Sequence, residues 1–128
     1  MTYRPPPSHY ILGDDKSLVG CPSSWTWDRW MARNTNSCIV GRNAFHGVDV
    51  VTEFTGQDWR VGNGPPLTFR TTIAINPWDV YDTRYRMIIH TESWDKAKMV
   101  HGQTVERMKR PGLKIMNELE RIASTSKR

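Results

Sequence analysis

The chain predicts an α+β fold: a four-stranded antiparallel sheet, five-stranded if an early edge strand joins it, with one N-terminal helix and two C-terminal helices packed on it. Three observations predict this. A Trp-led stretch near the N-terminus places its apolar residues at i, i+3 and i+4. Four runs between residues 38 and 90 then alternate at period two. Two helical stripes follow the last of them. Strands followed by helices bury their faces most simply as an antiparallel sheet with helices on one side. At 128 residues, positions 1–128 read as one domain able to bury a sizeable core.

Each element has its own signal. Pro5, Pro6 and Pro7 make residues 1–8 an extended arm in polyproline II. "YILGDD" reads as a short edge strand closed by a turn. "SSWTWDRWMAR" is the first helix, capped by Ser24 or Thr26, with Asp28 in its first turn and Trp27, Trp30 and Met31 on one face. After the polar "NTNS", the runs "CIVGRNAF" and "VDVVTEF" form a hairpin around "HG". Val48, Val50 and Phe54 face inward, while Asp49 and Glu53 face away. "TGQDWRVGNGPP" is a long connection that excludes regular structure. "LTFRTTIAI" turns Leu67, Phe69, Ile73 and Ile75 one way, "NPWD" is a turn, and "YDTRYRMIIH" is the fourth strand, with Tyr85, Met87 and Ile89 inward. In "SWDKAKMVHGQTVERMKR" the stripe is Trp94, Ala97, His101, Val105 and Met108, stopped by Pro111-Gly112. A second helix over 113–123 carries Ile115, Met116, Leu119 and Ile122, and 124–128 is a polar tail.

Composition narrows the function classes. No run approaches the ~18 apolar residues of a membrane span, and the N-terminus lacks a secretion-signal layout. Cys21 and Cys38 carry no metal-ligand spacing and read as free thiols in a reducing cytoplasm. Residues 1–90 hold nine Lys/Arg against eight Asp/Glu, whereas 91–128 hold nine against five, so a net charge of +5 is concentrated as +4 in the C-terminal part. The basic face there comprises Lys96, Arg107, Lys109 and Arg110, which suits nucleic acid, an acidic protein surface or solvent.

Catalytic and metal motifs find little support. His90 and Glu92 form the H-x-E pair of zinc deaminases, but the C-x-x-C half of that site is missing. Ser93 is a natural helix cap, and His101 would sit about 12 Å further along the helix, too far to share a ligand set with His90. No G-x-S-x-G or Cys–His pairing marks a nucleophile. "GNGPP" lacks the Lys and Ser/Thr of a phosphate loop. Catalytic residues, metal ligands and cofactors are therefore all expected to be none.

Tryptophan is the unusual residue: six in the chain, three of them Trp25, Trp27 and Trp30. Trp25 and Trp59 are hard to bury, and beside Arg29, Arg33 and Arg60 they have hot-spot composition, which also suits stacking on bases. The expected binding set is Trp25, Arg29, Arg33, Trp59, Arg60, Asn63, Pro65 and Pro66, with the first five as anchors.

The run "VVTEFTGQDWRVGNGPPLTFRTTI" resembles a family of small tailed-phage and prophage proteins with a V-x-T-x-F-x-G-x-D segment, a G-x-G-P-P-L-x-F-x-T core and a Trp-led helix ending in His. Thr52, Phe54, Gly56, Asp58, Gly62, Gly64, Pro65, Pro66, Leu67, Phe69 and Thr71 hold those positions, and Ser93, Trp94, Asp95, Ala97 and His101 hold the helix entry. The likeness covers roughly residues 9–108. Lys96 and Lys98 stand where the family is acidic, and Val100 where it has Gly. The resemblance brings no catalytic residue. It implies a non-catalytic phage accessory protein acting in the host cytoplasm by binding a host protein, as an inhibitor or modulator of, for example, host defence. The alternatives are a virion head or tail accessory subunit, and a nucleotide-signal or nucleic-acid binding protein. The expected partner is a protein, a host target or another phage subunit, ahead of nucleic acid. No membrane is involved, and homo-oligomerisation is left open.

Overall fold

The structure, a computed structural model, describes residues 9–45, 47–75 and 86–109. In chain order these form β1 (His9–Leu12), β2 (Leu18–Cys21), α1 (Ser24–Arg33), a 3-10 turn (Asn36–Cys38), β3 (Ile39–Phe45), β4 (Val48–Phe54), β5 (Phe69–Ile75), β6 (Arg86–Thr91) and α2 (Trp94–Met108). The architecture is α+β. β3-β4-β5-β6 make one antiparallel sheet in sequence order, and β1-β2 make a separate two-stranded hairpin.

Two details differ from the sequence reading. "YIL" does not lengthen the main sheet. It pairs with Leu18–Cys21, a strand that alternation alone hides in a four-residue run containing Gly20, and meets the longer connection at a His9–Gln57 bridge. α1 then packs mainly on this hairpin and reaches the sheet by setting Trp30 edge-on against Phe54, with ring centroids 6.1 Å apart. Its cap is Ser23, whose Oγ accepts from the Thr26 amide, so Ser24 and Thr26 are helical and Asp28 falls beyond the first turn. The 1–8 arm, Tyr85, the "NPWD" turn, the helix over 113–123 and the 124–128 tail lie outside the described residues.

α2 covers one face of the sheet, and its stripe is the predicted one. Ser93 caps it, accepting from the Lys96 amide, and Ala97, His101, Val105 and Met108 are buried. Four helical residues advance about 6 Å, close to the ~6.7 Å of two strand residues. The stripe therefore runs antiparallel to β4 in matched steps: Ala97 near Phe54, His101 on Thr52, Val105 near Val50. The apolar core falls into two clusters on either side of that middle step. One holds Tyr10, Leu12, Cys38, Phe54, Phe69 and Ala97; the other holds Val48, Val50, Ile73, Val105 and Met108. Cys21 and Cys38 are both free and buried.

Between the clusters lies a polar layer. Nε2–H of His101 donates to Asn43 Oδ1 at 2.7 Å, because that amide oxygen can only accept. Nδ1 is thereby left to accept from the Thr52 hydroxyl at 2.8 Å, and the Thr71 hydroxyl completes the chain at 2.8 Å from Thr52. One side chain of α2 is thus tied to β3, β4 and β5. Gly41, opposite Thr52 just after a bulge in β3, makes room for it: a Cβ there would lie 2.7 Å from the imidazole.

Gly41→Ala therefore forces apart a ring that is hydrogen-bonded at both nitrogens, and should cost about 1–3 kcal/mol. Gly102→Ala on the exposed side of α2 meets nothing within 4 Å and should stabilise by about 0.5–1 kcal/mol. Urea denaturation of the two variants checks the opposite signs.

Candidate functional site

The connection between β4 and β5 is an ordered loop whose ends are clamped together. The Thr55 amide and hydroxyl both donate to the Thr68 carbonyl, at 2.8 and 2.9 Å, and the Trp59 amide donates to the Leu67 carbonyl at 3.0 Å. Asp58 is the hub. Its Oδ1 accepts from the Arg60 and Leu67 amides at 3.0 and 3.1 Å, and its Oδ2 pairs with Arg60 Nε at 2.8 Å. Arg60 reaches on with Nη1 to the Gly64 carbonyl at 2.6 Å. Gly62 and Gly64, with φ of +86° and +120°, turn the tip in a way that residues with a Cβ rarely adopt.

This loop presents two apolar side chains. Val61 is 98% exposed at the tip, and Trp59 is 44% exposed beside it. Trp59 is held on two sides: its indole N–H donates to Thr55 Oγ1 at 3.2 Å, and its ring stacks on His90 with centroids 5.5 Å apart and planes 20° from parallel. His90 belongs to the sheet face turned away from α2. It lies in register beside Arg70, which pairs with Glu53 at 2.7 Å. Burial first, and then the Arg70 charge, hold the His90 pKa below its usual 6.5, which favours the neutral imidazole as the platform under Trp59. At the loop's other end, Gly56 (φ +73°) lies against the Trp27 indole, and the Tyr10 amide donates to the Gly56 carbonyl at 2.7 Å.

The second candidate group lies on α1. Trp25 is 65% exposed, with the Arg29 guanidinium over its ring at 4.7 Å. Trp25, Thr26, Arg29, Trp30, Arg33 and Asn34 line an open depression of about 410 Å³. The expected contact set therefore divides into two surfaces. Trp25, Arg29 and Arg33 share the α1 depression. Trp59, exposed Asn63 and Pro65, and half-buried Pro66 belong to the loop. Arg60 is an internal brace of that loop, not a free anchor.

On α2, Lys96 and Arg107 are exposed on the same side, Lys109 pairs with Glu106 at 3.7 Å, and Arg110 lies outside the described residues. Asp58, Val61 and His90 were not among the expected site residues. An isolated valine between a charged residue and a Gly-Asn-Gly turn is the signal that marks the exposed tip.

The histidines do not converge. His90 lies under Trp59, whereas His101 is bound to Thr52 and Asn43. Among the described residues no three His, Cys, Asp or Glu side chains gather as a metal cluster. The Thr52–His101–Asn43 chain has the connectivity of nucleophile, base and orienting group. Thr52 and Thr71 are 0% exposed, however, so the hydroxyl in the nucleophile's place is buried, while Asn43 at the other end of the chain is exposed. No helix among the described residues is long and apolar enough to cross a membrane. Comparison with protein-family models, curated proteins and solved structures finds no match.

His101 is also held below its usual pKa of 6.5 by burial. A base whose pKa is lowered by folding binds fewer protons folded than unfolded, so stability is full above about pH 6.5 and is lost as the pH falls below it. The melting temperature should drop between pH 7.5 and 5.5, and drop less in the His90→Gln/His101→Gln variant. An unchanged pH slope in that variant would contradict the assignment.

Proposed function

We propose that the chain is a non-catalytic recognition protein that binds another protein through the 55–68 loop, with Val61 and Trp59 as the contact. The observation that carries this reading is the combination of a fully exposed aliphatic tip with a loop whose Asp58 and Arg60 side chains are bonded within it. A loop fixed before binding loses little conformational entropy when it docks, and that favours affinity from a small contact. An exposed indole beside an exposed valine is apolar surface that solvent alone does not favour.

The resemblance to small tailed-phage and prophage proteins supplies the setting. We place the chain in the host cytoplasm as an inhibitor or modulator of a host protein. The residues that carry the resemblance support a scaffold role: Thr52, Thr71 and His101 make the polar layer, Asp58 organises the loop, and Gly62 and Gly64 turn it. None of them brings an accessible nucleophile, acid or base to the loop tip.

The test is affinity capture from a bacterial lysate with tagged wild-type protein and with Trp59→Ala/Val61→Asp, a pair of exposed changes that leaves the core untouched. A specific polypeptide retained by the wild type should fall at least about tenfold with the variant, as expected when a central contact is removed. Equal recovery by both proteins, or recovery of nothing, would sink the proposal.

A further inference from the structure

α1 carries three tryptophans and a methionine, yet buries no residue completely. Its outer face pairs aromatic surface with unneutralised charge. Arg29 lies over Trp25, Arg33 follows one turn on, and among the described residues neither guanidinium has an ion-pair partner. The local backbone does not consume these groups either, since the Asn34 amides, main-chain and side-chain, serve the last carbonyls of the helix.

The shape of the depression decides what class of partner fits. Among the described residues its lining comes from one helix and its cap alone, with no opposing wall. Small-molecule sites bury roughly 70–90% of their ligand, which a single helix face does not do. A nucleic acid is recognised through several phosphates at once, and this face offers two cations, while exposed Lys96, Lys98 and Arg107 belong to α2. A second copy of the same face would bring guanidiniums against guanidiniums. An acidic polypeptide meets all three constraints. Arg29 and Arg33 stand about 6 Å apart along the helix, matching carboxylates at i, i+4 on a helix or i, i+2 on a strand.

We propose that α1 docks an acidic segment of a partner protein, with Arg29 and Arg33 taking two of its carboxylates and Trp25 covered by an apolar side chain beside them. The inference rests on the reading of the chain as a protein-recognition module, but uses a surface separate from the loop.

The test uses the full chain and a fluorescently labelled helical peptide bearing Glu at i, i+4 around a Phe. Its Gln and Lys counterparts and a duplex DNA oligonucleotide serve as comparison probes. Anisotropy should show the Glu peptide binding, the Gln peptide binding at least about tenfold more weakly, and affinity falling as salt screens the pairs. Arg29→Glu/Arg33→Glu should lose the Glu peptide and gain the Lys peptide. Lys98→Glu/Arg86→Glu, an equal change in net charge on exposed residues elsewhere, should change the Glu-peptide affinity less than about twofold. Circular dichroism confirms that both variants fold.

The proposal is overturned if Glu and Gln peptides bind alike, if both charge-reversal variants weaken binding equally, or if the DNA binds more tightly with the same dependence on Arg29 and Arg33. Such a failure, with capture through the loop intact, would overturn this inference and leave the proposed function standing.

Discussion

The imidazole of His101, bonded at both nitrogens between Asn43 and Thr52, is the constraint on which the rest of the structure depends. An apolar stripe on α2 could slide by one turn along an apolar sheet with modest loss, since hydrophobic contact is non-directional. The polar layer forbids that. A one-turn slip would carry His101 into one of the apolar clusters and leave the Thr52–Thr71 pair facing Ala97 or Val105. Each unpaired buried polar group costs about 1–3 kcal/mol. The layer also requires Gly41 beneath the ring, and hence the bulge that places Gly41 opposite Thr52.

Fixing α2 on β4 and β5 fixes the frame from which the 55–68 loop hangs. β4 ends at Phe54 and β5 begins at Phe69, which are paired in register, and Thr55 and Thr68 continue that pairing into the loop. The loop thus leaves a rigid sheet end with its direction already set, and Asp58 closes it from within. The same sheet end receives the β1-β2 hairpin through Gly56 and Tyr10, and with it α1. Two exposed aromatic surfaces result. One is carried by the loop and backed by His90; the other is carried by a helix and flanked by arginines.

Much of this was legible in the sequence where periodicity speaks. The inward sets of β4 and β5, the α2 stripe and its Ser93 cap follow from alternation and helical spacing alone. What stayed hidden had non-local causes. β2 is a four-residue strand visible only through its partner. The cap is Ser23, one residue before the nearer of the two expected caps, Ser24 and Thr26, because it is the Ser23 hydroxyl that reaches the Thr26 amide. His101 sits on an apolar stripe, and its spacing cannot reveal that Asn43 and Thr52 meet it from two strands, with Thr71 behind Thr52 on a third. In the site, Trp25, Arg29 and Arg33 were readable as a helical face. Arg60 looked like an anchor because its partners, Asp58 and the Gly64 carbonyl, depend on a loop conformation that no period encodes.

Amide hydrogen exchange reads whether the 55–68 loop is already built in the free protein. In the free wild-type chain the Trp59, Arg60 and Leu67 amides, each hydrogen-bonded within the loop, should exchange far more slowly than those of Val61 and Asn63 at the tip. Asp58→Ala should bring the Arg60 and Leu67 amides to tip-like rates while amides in the middle of α2 keep their protection. If these loop amides exchange as fast as the tip in the free wild-type protein, the loop is not preorganised and its proposed role as a prebuilt contact fails.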